Sequence, residues 1–126
     1  MTTFHCKVCG LVLAEELSEC LEDRLCLEDG LPMLPSKTFF ISKGKFSPER
    51  VGDYLINVDD LLNTRLVEVA GRLNGCCGLD GLDGINHVCQ NGHEVATVRD
   101  DCWMPSHVIL SSTLVVVSEA SQTAPV

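Results

Sequence analysis

Cysteine and histidine are the residues of this 126-residue chain whose types and spacing can do chemistry. The chain contains 8 cysteines and 4 histidines, and half of the cysteines lie between Gly71 and Trp103. Thiolate sulfur and imidazole nitrogen are the ligands that zinc prefers in structural sites. We therefore expect a metal site that is built largely from this central stretch.

The most specific short motif is CxxCG, formed by Cys6, Cys9 and Gly10. Two intervening residues let both sulfurs reach one ion at about 2.3 Å, and the glycine can adopt the left-handed backbone conformation that follows the second ligand. A thioredoxin-like redox pair would need a preceding strand and a helix that begins at the motif, and we expect no room for that strand. A chance pair of buried cysteines is the other alternative. The motif predicts a zinc knuckle.

The central stretch is expected to contain a hairpin that positions two more sulfurs. Gln90–Gly92 predicts a turn, and Glu94–Val98 predicts the second arm. Cys89 precedes the turn and Cys102 follows the arm, so both are expected to reach the same place.

Cys76 and Cys77 are adjacent, and neighbouring side chains rarely reach one tetrahedral ion without strain. One of them is therefore expected to bind an ion together with Cys89 and Cys102. The fourth ligand is left open among Cys6, Cys9, His93 and His107. The predicted zinc ligands are thus Cys6, Cys9, Cys76, Cys77, Cys89 and Cys102, and Cys26 and Cys20 join them only if two ions are bound. A vicinal disulfide or redox pair at Cys76 and Cys77 stays open.

The segment Gly78–Asn86 repeats the unit GLD between these cysteines. An EF-hand needs oxygen ligands at alternate positions, whereas these aspartates are too widely spaced for that pattern. Tight glycine turns that wrap the backbone around a buried site are expected instead. Trp103 is expected to be an apolar cover that keeps water away from the metal.

Charge and hydropathy restrict the partners. The chain has 18 acidic and 9 basic residues, a net charge of −9, so we expect repulsion from nucleic-acid phosphates and an unknown protein as the partner. The longest apolar run, Val108–Val117, is interrupted by polar residues and is shorter than the roughly 20 residues of a membrane helix, so no membrane association is expected. The chain begins without the pattern of a signal peptide. Together with the cysteine content this predicts a reducing cytoplasmic location, where thiols are ligands rather than disulfides.

The secondary structure predicted around the ligands indicates an α+β fold. We expect a small β-rich zinc-knuckle domain with one or two short helices. Leu13–Leu25 has apolar residues at helical spacing. Asn57 or Asp59 can cap a short helix that begins at Asp60, although Arg65–Val69 is equally compatible with a strand.

Strands are expected at Thr38–Ser42 and Tyr54–Ile56, with a turn at Gly44–Pro48 between them. Val108–Leu110 and Leu114–Val117 are expected to form one long or two short closing strands. The length of the chain predicts a single zinc-binding domain over residues 1–118 and a flexible C-terminal tail over residues 119–126.

The segments GRLNGCCGLDGLDGIN and VCQNGHEVATVRDDCW resemble a family of small bacterial cysteine-rich proteins without an assigned activity. In that family a GCCGxDGxDGxN block precedes an EVATxxxDCW block. The resemblance covers about residues 71–103 and, more loosely, the opening CxxCG. It implies a bacterial zinc-type protein, and it implies nothing about a substrate. The family is expected to have a cysteine where this chain has Asn91, which implies one ligand fewer here.

Three hypotheses for the function follow. The favoured one is a non-enzymatic protein-interaction or regulatory module with structural zinc, because a ligand set made of cysteines leaves no open position for water. The second is a thiol-based enzyme or redox sensor that uses Cys76 or Cys77, which requires an exposed thiolate with a lowered pKa. The third is a zinc hydrolase with Glu94, Asp100 or Asp101 as its base, although no metallohydrolase motif such as HExxH is present.

Overall fold

The regular structure of the described part of the chain is mostly β-sheet. A computed structural model describes residues 1–43 and 51–119. The nine strands are β1 (Thr2–Cys6), β2 (Val12–Glu19), β3 (Thr38–Ile41), β4 (Tyr54–Ile56), β5 (Thr64–Leu66), β6 (His87–Cys89), β7 (Glu94–Arg99), β8 (His107–Leu110) and β9 (Val115–Glu119). The helical elements in these ranges are three short 3-10 turns, at Glu22–Arg24, Val58–Asp60 and Ala70–Arg72. The prediction of an α+β fold is therefore wrong, and the described part of the chain is mostly β.

Irregular strand pairing explains why Leu13–Leu25 has the apolar spacing of a helix. Strand β2 pairs with β1 in the order Thr2↔Leu17 and Phe4↔Ala14, so β2 contains one more residue than β1 in this interval. The extra residue is accommodated by a β-bulge, at which Glu16 has a φ angle of 56°. The bulge lengthens the interval between buried side chains and thereby imitates helical periodicity.

The predicted strands at Thr38–Ser42 and Tyr54–Ile56 are confirmed as β3 and β4. The predicted turn at Gly44–Pro48 lies outside the described residues. The helix expected to begin at Asp60 is instead one 3-10 turn, in which Asn57 Oδ1 accepts a hydrogen bond of 2.8 Å from the backbone N–H of Asp59. The chain then enters β5, which covers only Arg65 and Leu66 of the strand over Arg65–Val69 that the sequence left open as the alternative.

A single curled sheet brings the first and the central hairpin together. The strand order is β5-β6-β7-β8-β4-β3-β2-β1-β9, and β2–β3 is the parallel pair. The two ends of the order meet around one core, in which Phe4 of β1 and Val95 of β7 are both buried. Two hydrogen bonds join the segment before β5 to β2, from Leu62 N to Leu13 O and from Asn63 Nδ2 to Val12 O, both at 2.7 Å. The C-terminal ends of β1 and β6 therefore become neighbours.

The other face of β3, β4 and β8 is covered by the loop over residues 20–36. Cross-strand neighbours Phe40, Leu55 and Ile109 pack on this face against Met33 and Leu34. Cys20 is 6% exposed and belongs to this second core. Its side chain packs there as a small apolar group.

The two closing strands are separate and lie in different parts of the sheet. Strand β8 pairs between β4 and β7, whereas β9 forms the edge beside β1. Strand β9 extends to Glu119, and residues 120–126, where most of the predicted tail lies, are outside the described residues. In the described part of the chain, no helix is long and apolar enough to span a membrane.

Candidate metal centre

Two hairpin turns bring four potential metal ligands together at the point where the sheet closes. Cys6, Cys9, Cys89 and His93 each offer one ligand atom, and these atoms all lie within 4.8 Å of one another. We call this group the Cys3His cluster. It joins two segments of the chain that are far apart in sequence.

The two hairpins have similar backbone geometry at the cluster. Cys6 ends β1, and its carbonyl accepts a 2.8 Å hydrogen bond from Gly10 N. Cys89 ends β6, and its carbonyl accepts a bond of the same length from Gly92 N. Gly10 and Gly92 have φ angles of 78° and 88°, in the left-handed region that favours glycine. Each turn is thus a knuckle that presents its ligands to the other. Strand β1 does precede the CxxC motif, but β2 rather than a helix follows it, so no thioredoxin-like arrangement forms.

The spacing of the ligand atoms fits a tetrahedral ion. Cys9 Sγ lies 3.8 Å from Cys89 Sγ, and His93 Nδ1 lies 3.4 Å from Cys89 Sγ and 3.7 Å from Cys6 Sγ. A tetrahedral zinc ion with ordinary bond lengths would separate two sulfurs by about 3.8 Å, and a sulfur from a nitrogen by about 3.5 Å. The cluster can therefore hold a metal ion.

The two cysteines of the first knuckle have opposite electrostatic environments. Cys6 is 1% exposed, and its burial raises the pKa of its thiol. A hydrogen bond from the side chain of Asn91, helped by the backbone at Leu11, lowers the pKa of Cys9 to about 6. Asn91, where the family that the sequence resembles is expected to have a cysteine, therefore favours the thiolate form of Cys9, and His93 is the fourth member of the cluster.

A second group of thiols lies at the other end of β7 from the Cys3His cluster. The sulfurs of Cys76, Cys77 and Cys102 all lie within 4.8 Å of one another, and the three residues are exposed. We call this group the tri-cysteine cluster. Both adjacent cysteines contribute to it, although the sequence argument expected only one of them to share an ion.

The direction of β7 separates Cys102 from Cys89. Cys89 precedes the hairpin turn, and β7 then runs over Glu94–Arg99 before the chain reaches Cys102. A six-residue strand spans about 20 Å, so the two cysteines lie at opposite ends of it. The six predicted ligands are therefore divided between two clusters.

Asp101 organises the backbone of the tri-cysteine cluster. Its side chain is 1% exposed, and its Oδ2 accepts hydrogen bonds from Cys76 N at 2.9 Å and Trp103 Nε1 at 2.8 Å. Its Oδ1 accepts from Cys77 N at 3.1 Å and Cys102 N at 2.8 Å. The backbone N–H groups of Cys76 and Cys77 are the main reason that the pKa of Asp101 lies well below its ordinary range. Asp101 thus holds all three cysteines by their own main chain.

From the sequence, Asp101 is a candidate only for a catalytic base. Its position just before Cys102 does not reveal that its carboxylate binds the backbone of the three cysteines. Trp103 is also placed differently from the expectation. It is 49% exposed and donates its indole N–H to Asp101, so it does not cover a metal site.

The thiol of Cys77 is held in its protonated form in this arrangement. Hydrogen bonds with Cys102 and with Asp101, the latter at 3.3 Å from Cys77 Sγ to Oδ1, raise the pKa of Cys77 to about 12. A bound cation reverses such an effect, because a coordinating thiol loses its proton to the metal. Without a cation, Cys77 is a poor nucleophile.

Two glycines allow the close approach of the cysteine loop to the segment that contains Asp101. A Cβ atom on Gly75 would collide with the carbonyl of Gly78, and one on Gly78 would collide with the backbone of Asp100. Leu79 N donates a 2.7 Å hydrogen bond to Asp100 Oδ1 in the same contact. The glycine turns expected from the sequence therefore wrap around aspartate side chains.

The remaining cysteines and histidines have other partners. Cys26 donates its backbone N–H to Met33 O at 2.7 Å and joins neither cluster. His5 contacts Gly10 O and Ser118 Oγ, His87 contacts Thr64 Oγ1, and the buried His107 contacts Pro105 O. All eight cysteines are free thiols.

Comparison of the chain with protein-family models, with curated proteins and with solved structures finds no match. The family resemblance of residues 71–103 thus stays a prediction. The functional evidence is the chemistry of the two clusters, each of which can hold a metal ion.

Proposed function

We propose that the Cys3His cluster binds a structural zinc ion and that the protein is a non-enzymatic interaction or regulatory module. The observation that carries this proposal is the complete ligand set. Three of the six pairs among its three sulfurs and one imidazole nitrogen lie at 3.4 to 3.8 Å, and all six lie within 4.8 Å. Four protein ligands leave no coordination position for a water or a substrate, which is the mark of a structural site.

The location of the cluster supports a structural role. Cys6 is 1% exposed and Cys89 is 0% exposed, so the ion would lie against the main core rather than in an open cleft. The ligands join the β1–β2 hairpin to the β6–β7 hairpin, and three strands, β8, β4 and β3, separate these hairpins in the sheet order. Zinc would therefore fasten the closure of the sheet.

The two enzymatic hypotheses receive less support. A thiol enzyme needs a thiolate of lowered pKa in the pair Cys76–Cys77, whereas the pKa of Cys77 is raised to about 12. A hydrolase needs a carboxylate that can take a proton. Asp101 already accepts hydrogen bonds from N–H donors on both oxygens, and Glu94 pairs with Arg72 at 2.7 Å.

The surface charge indicates the class of partner. With a net charge of −9 the protein should attract basic proteins and repel nucleic acid. We therefore propose a basic protein partner in a reducing, cytoplasmic setting, and we propose that the chain belongs with the bacterial cysteine-rich proteins that it resembles.

X-ray absorption at the zinc edge tests the metal part of the proposal. The protein should be purified without added metal and should carry Cys76→Ser, Cys77→Ser and Cys102→Ser, so that only the Cys3His cluster contributes. We expect one zinc ion with three sulfur neighbours at about 2.3 Å and one nitrogen neighbour at about 2.0 Å. Adding Cys89→Ser should change this shell, whereas adding Cys20→Ser should not. Protein without zinc, or a shell that includes a solvent oxygen, would overturn the structural assignment.

A further inference from the structure

We propose that Cys76, Cys77 and Cys102 form a second zinc site, with three thiolate ligands and a fourth position open to solvent, from which the ion exchanges readily. The three sulfurs lie within 4.8 Å of one another, which is near the spacing that one ion requires. All three residues are exposed, in contrast to the buried Cys6 and Cys89 of the Cys3His cluster. The proposal concerns a different site from the structural one and does not depend on it.

The site is assembled before any ion binds. Four N–H groups, three of them from the backbone of the cysteines themselves, donate to the buried carboxylate of Asp101. Leu79 N is held in the same way by Asp100. These bonds fix two separate segments of the chain without a disulfide, so the thiols do not have to be gathered by the metal. Pre-organisation by such outer groups is what orients metal ligands in proteins.

The number of ligands leaves a position open. Among the described residues, the ligand group at this place consists of the three cysteines alone. Asp101 Oδ1 lies 3.3 Å from Cys77 Sγ, but Asp101 is not a member of the ligand group, and both of its oxygens already accept from N–H donors. The fourth ligand of a tetrahedral ion must therefore come from solvent or from another molecule. This is the arrangement that allows a ligand exchange.

The chemistry of the site selects a divalent thiophilic ion. Calcium and magnesium prefer oxygen ligands, whereas thiolates select zinc and monovalent copper. Three thiolates and the Asp101 carboxylate carry four negative charges within one small volume. A divalent ion neutralises more of this charge than a monovalent ion does, and zinc is the ion that we propose.

Zinc transfer to a chromogenic chelator tests the proposal. The protein is loaded with zinc, separated from free metal and mixed with excess chelator in a stopped-flow spectrometer. We expect two phases of equal amplitude, a fast one from the tri-cysteine cluster and a slow one from the Cys3His cluster. Cys102→Ser should remove the fast phase alone, and Cys76→Ser should do the same.

Controls make each outcome decisive. Cys26→Ser changes a cysteine outside both clusters and should leave both phases intact, and circular dichroism should show that every variant is folded. A wild-type protein that releases only the slow ion, with Cys102→Ser indistinguishable from it, would overturn the second site. A wild-type protein that releases only a fast ion, and in which Cys102→Ser removes that fast phase, would instead contradict the structural-zinc proposal and support this one.

Discussion

The stabilisation that zinc provides by joining the two hairpins at the Cys3His cluster follows from the structure. Cys89→Ala with His93→Ala removes both ligands of the β6–β7 hairpin and leaves Cys6 and Cys9 in place. In the unfolded chain, the two ligand pairs can share an ion only by closing a loop of about 80 residues, which costs about 4.5 kcal/mol of chain entropy. The folded chain already holds the four ligand atoms within 4.8 Å of one another. Saturating zinc should therefore stabilise the folded state by about 4.5 kcal/mol, and its removal should lower the Tm by about 15 °C.

Urea unfolding with saturating zinc and with excess chelator measures this stabilisation. Every protein in the series carries Cys102→Ser, so that the tri-cysteine cluster does not contribute. Comparing each protein with itself cancels the packing cost of replacing Cys89, which is 0% exposed. The Cys89→Ala/His93→Ala protein should show almost no difference between the two conditions. Cys20→Ala/His107→Ala changes a buried cysteine and a buried histidine outside both clusters and should keep the full difference. A parent protein that loses its zinc to the chelator without a change in the free energy of unfolding would refute the reasoning.

Four further outcomes are expected from other parts of the molecule. Asp101→Asn replaces one of the two accepting oxygens by an amide nitrogen, so two of the four N–H hydrogen bonds are lost in either orientation of the amide. Amide hydrogen exchange around Cys76, Cys77 and Cys102 should accelerate in this variant but not in the exposed control Asp29→Asn, and unchanged protection would contradict the role of Asp101. Glu16→Gly removes the strain of a left-handed backbone conformation and should raise the free energy of unfolding by about 0.5 kcal/mol, whereas Glu15→Gly should lower it. Urea unfolding in which Glu15→Gly is the more stable of the two variants would count against the bulge. Because the pKa of Cys9 is about 6, the metal-free protein should be alkylated there first at pH 7, with labelling that slows as the pH falls below 6 and is blocked by zinc; mass spectrometry that finds Cys77 labelled first would contradict the assignment. At low salt the protein should not retard duplex DNA in a gel, since its net charge is −9, and a salt-sensitive complex would disprove the charge argument.

The local parts of the fold could be read from the sequence because they depend on neighbouring residues. The turn at Gln90–Gly92 and the strand after it follow from the glycine and from the β-forming residues beyond it. Strands β3 and β4 follow from short apolar runs. The fold class was wrong because the bulge at Glu16 gives a strand the apolar spacing of a helix, and pairing partners that would reveal the bulge lie on β1.

The ligand chemistry was determined by the sequence itself. Eight cysteines, the CxxCG motif and the cysteine-rich central stretch are sufficient to predict a thiol-rich metal site, since side-chain chemistry does not depend on the fold. Only the tertiary structure decided how the ligands are grouped. The curl of the sheet places Cys6 and Cys9 beside Cys89, and the direction of β7 carries Cys102 to the other end of the strand. The choice of His93 and the anchoring by Asp101 also require contacts between segments distant in sequence, which no local spacing can specify.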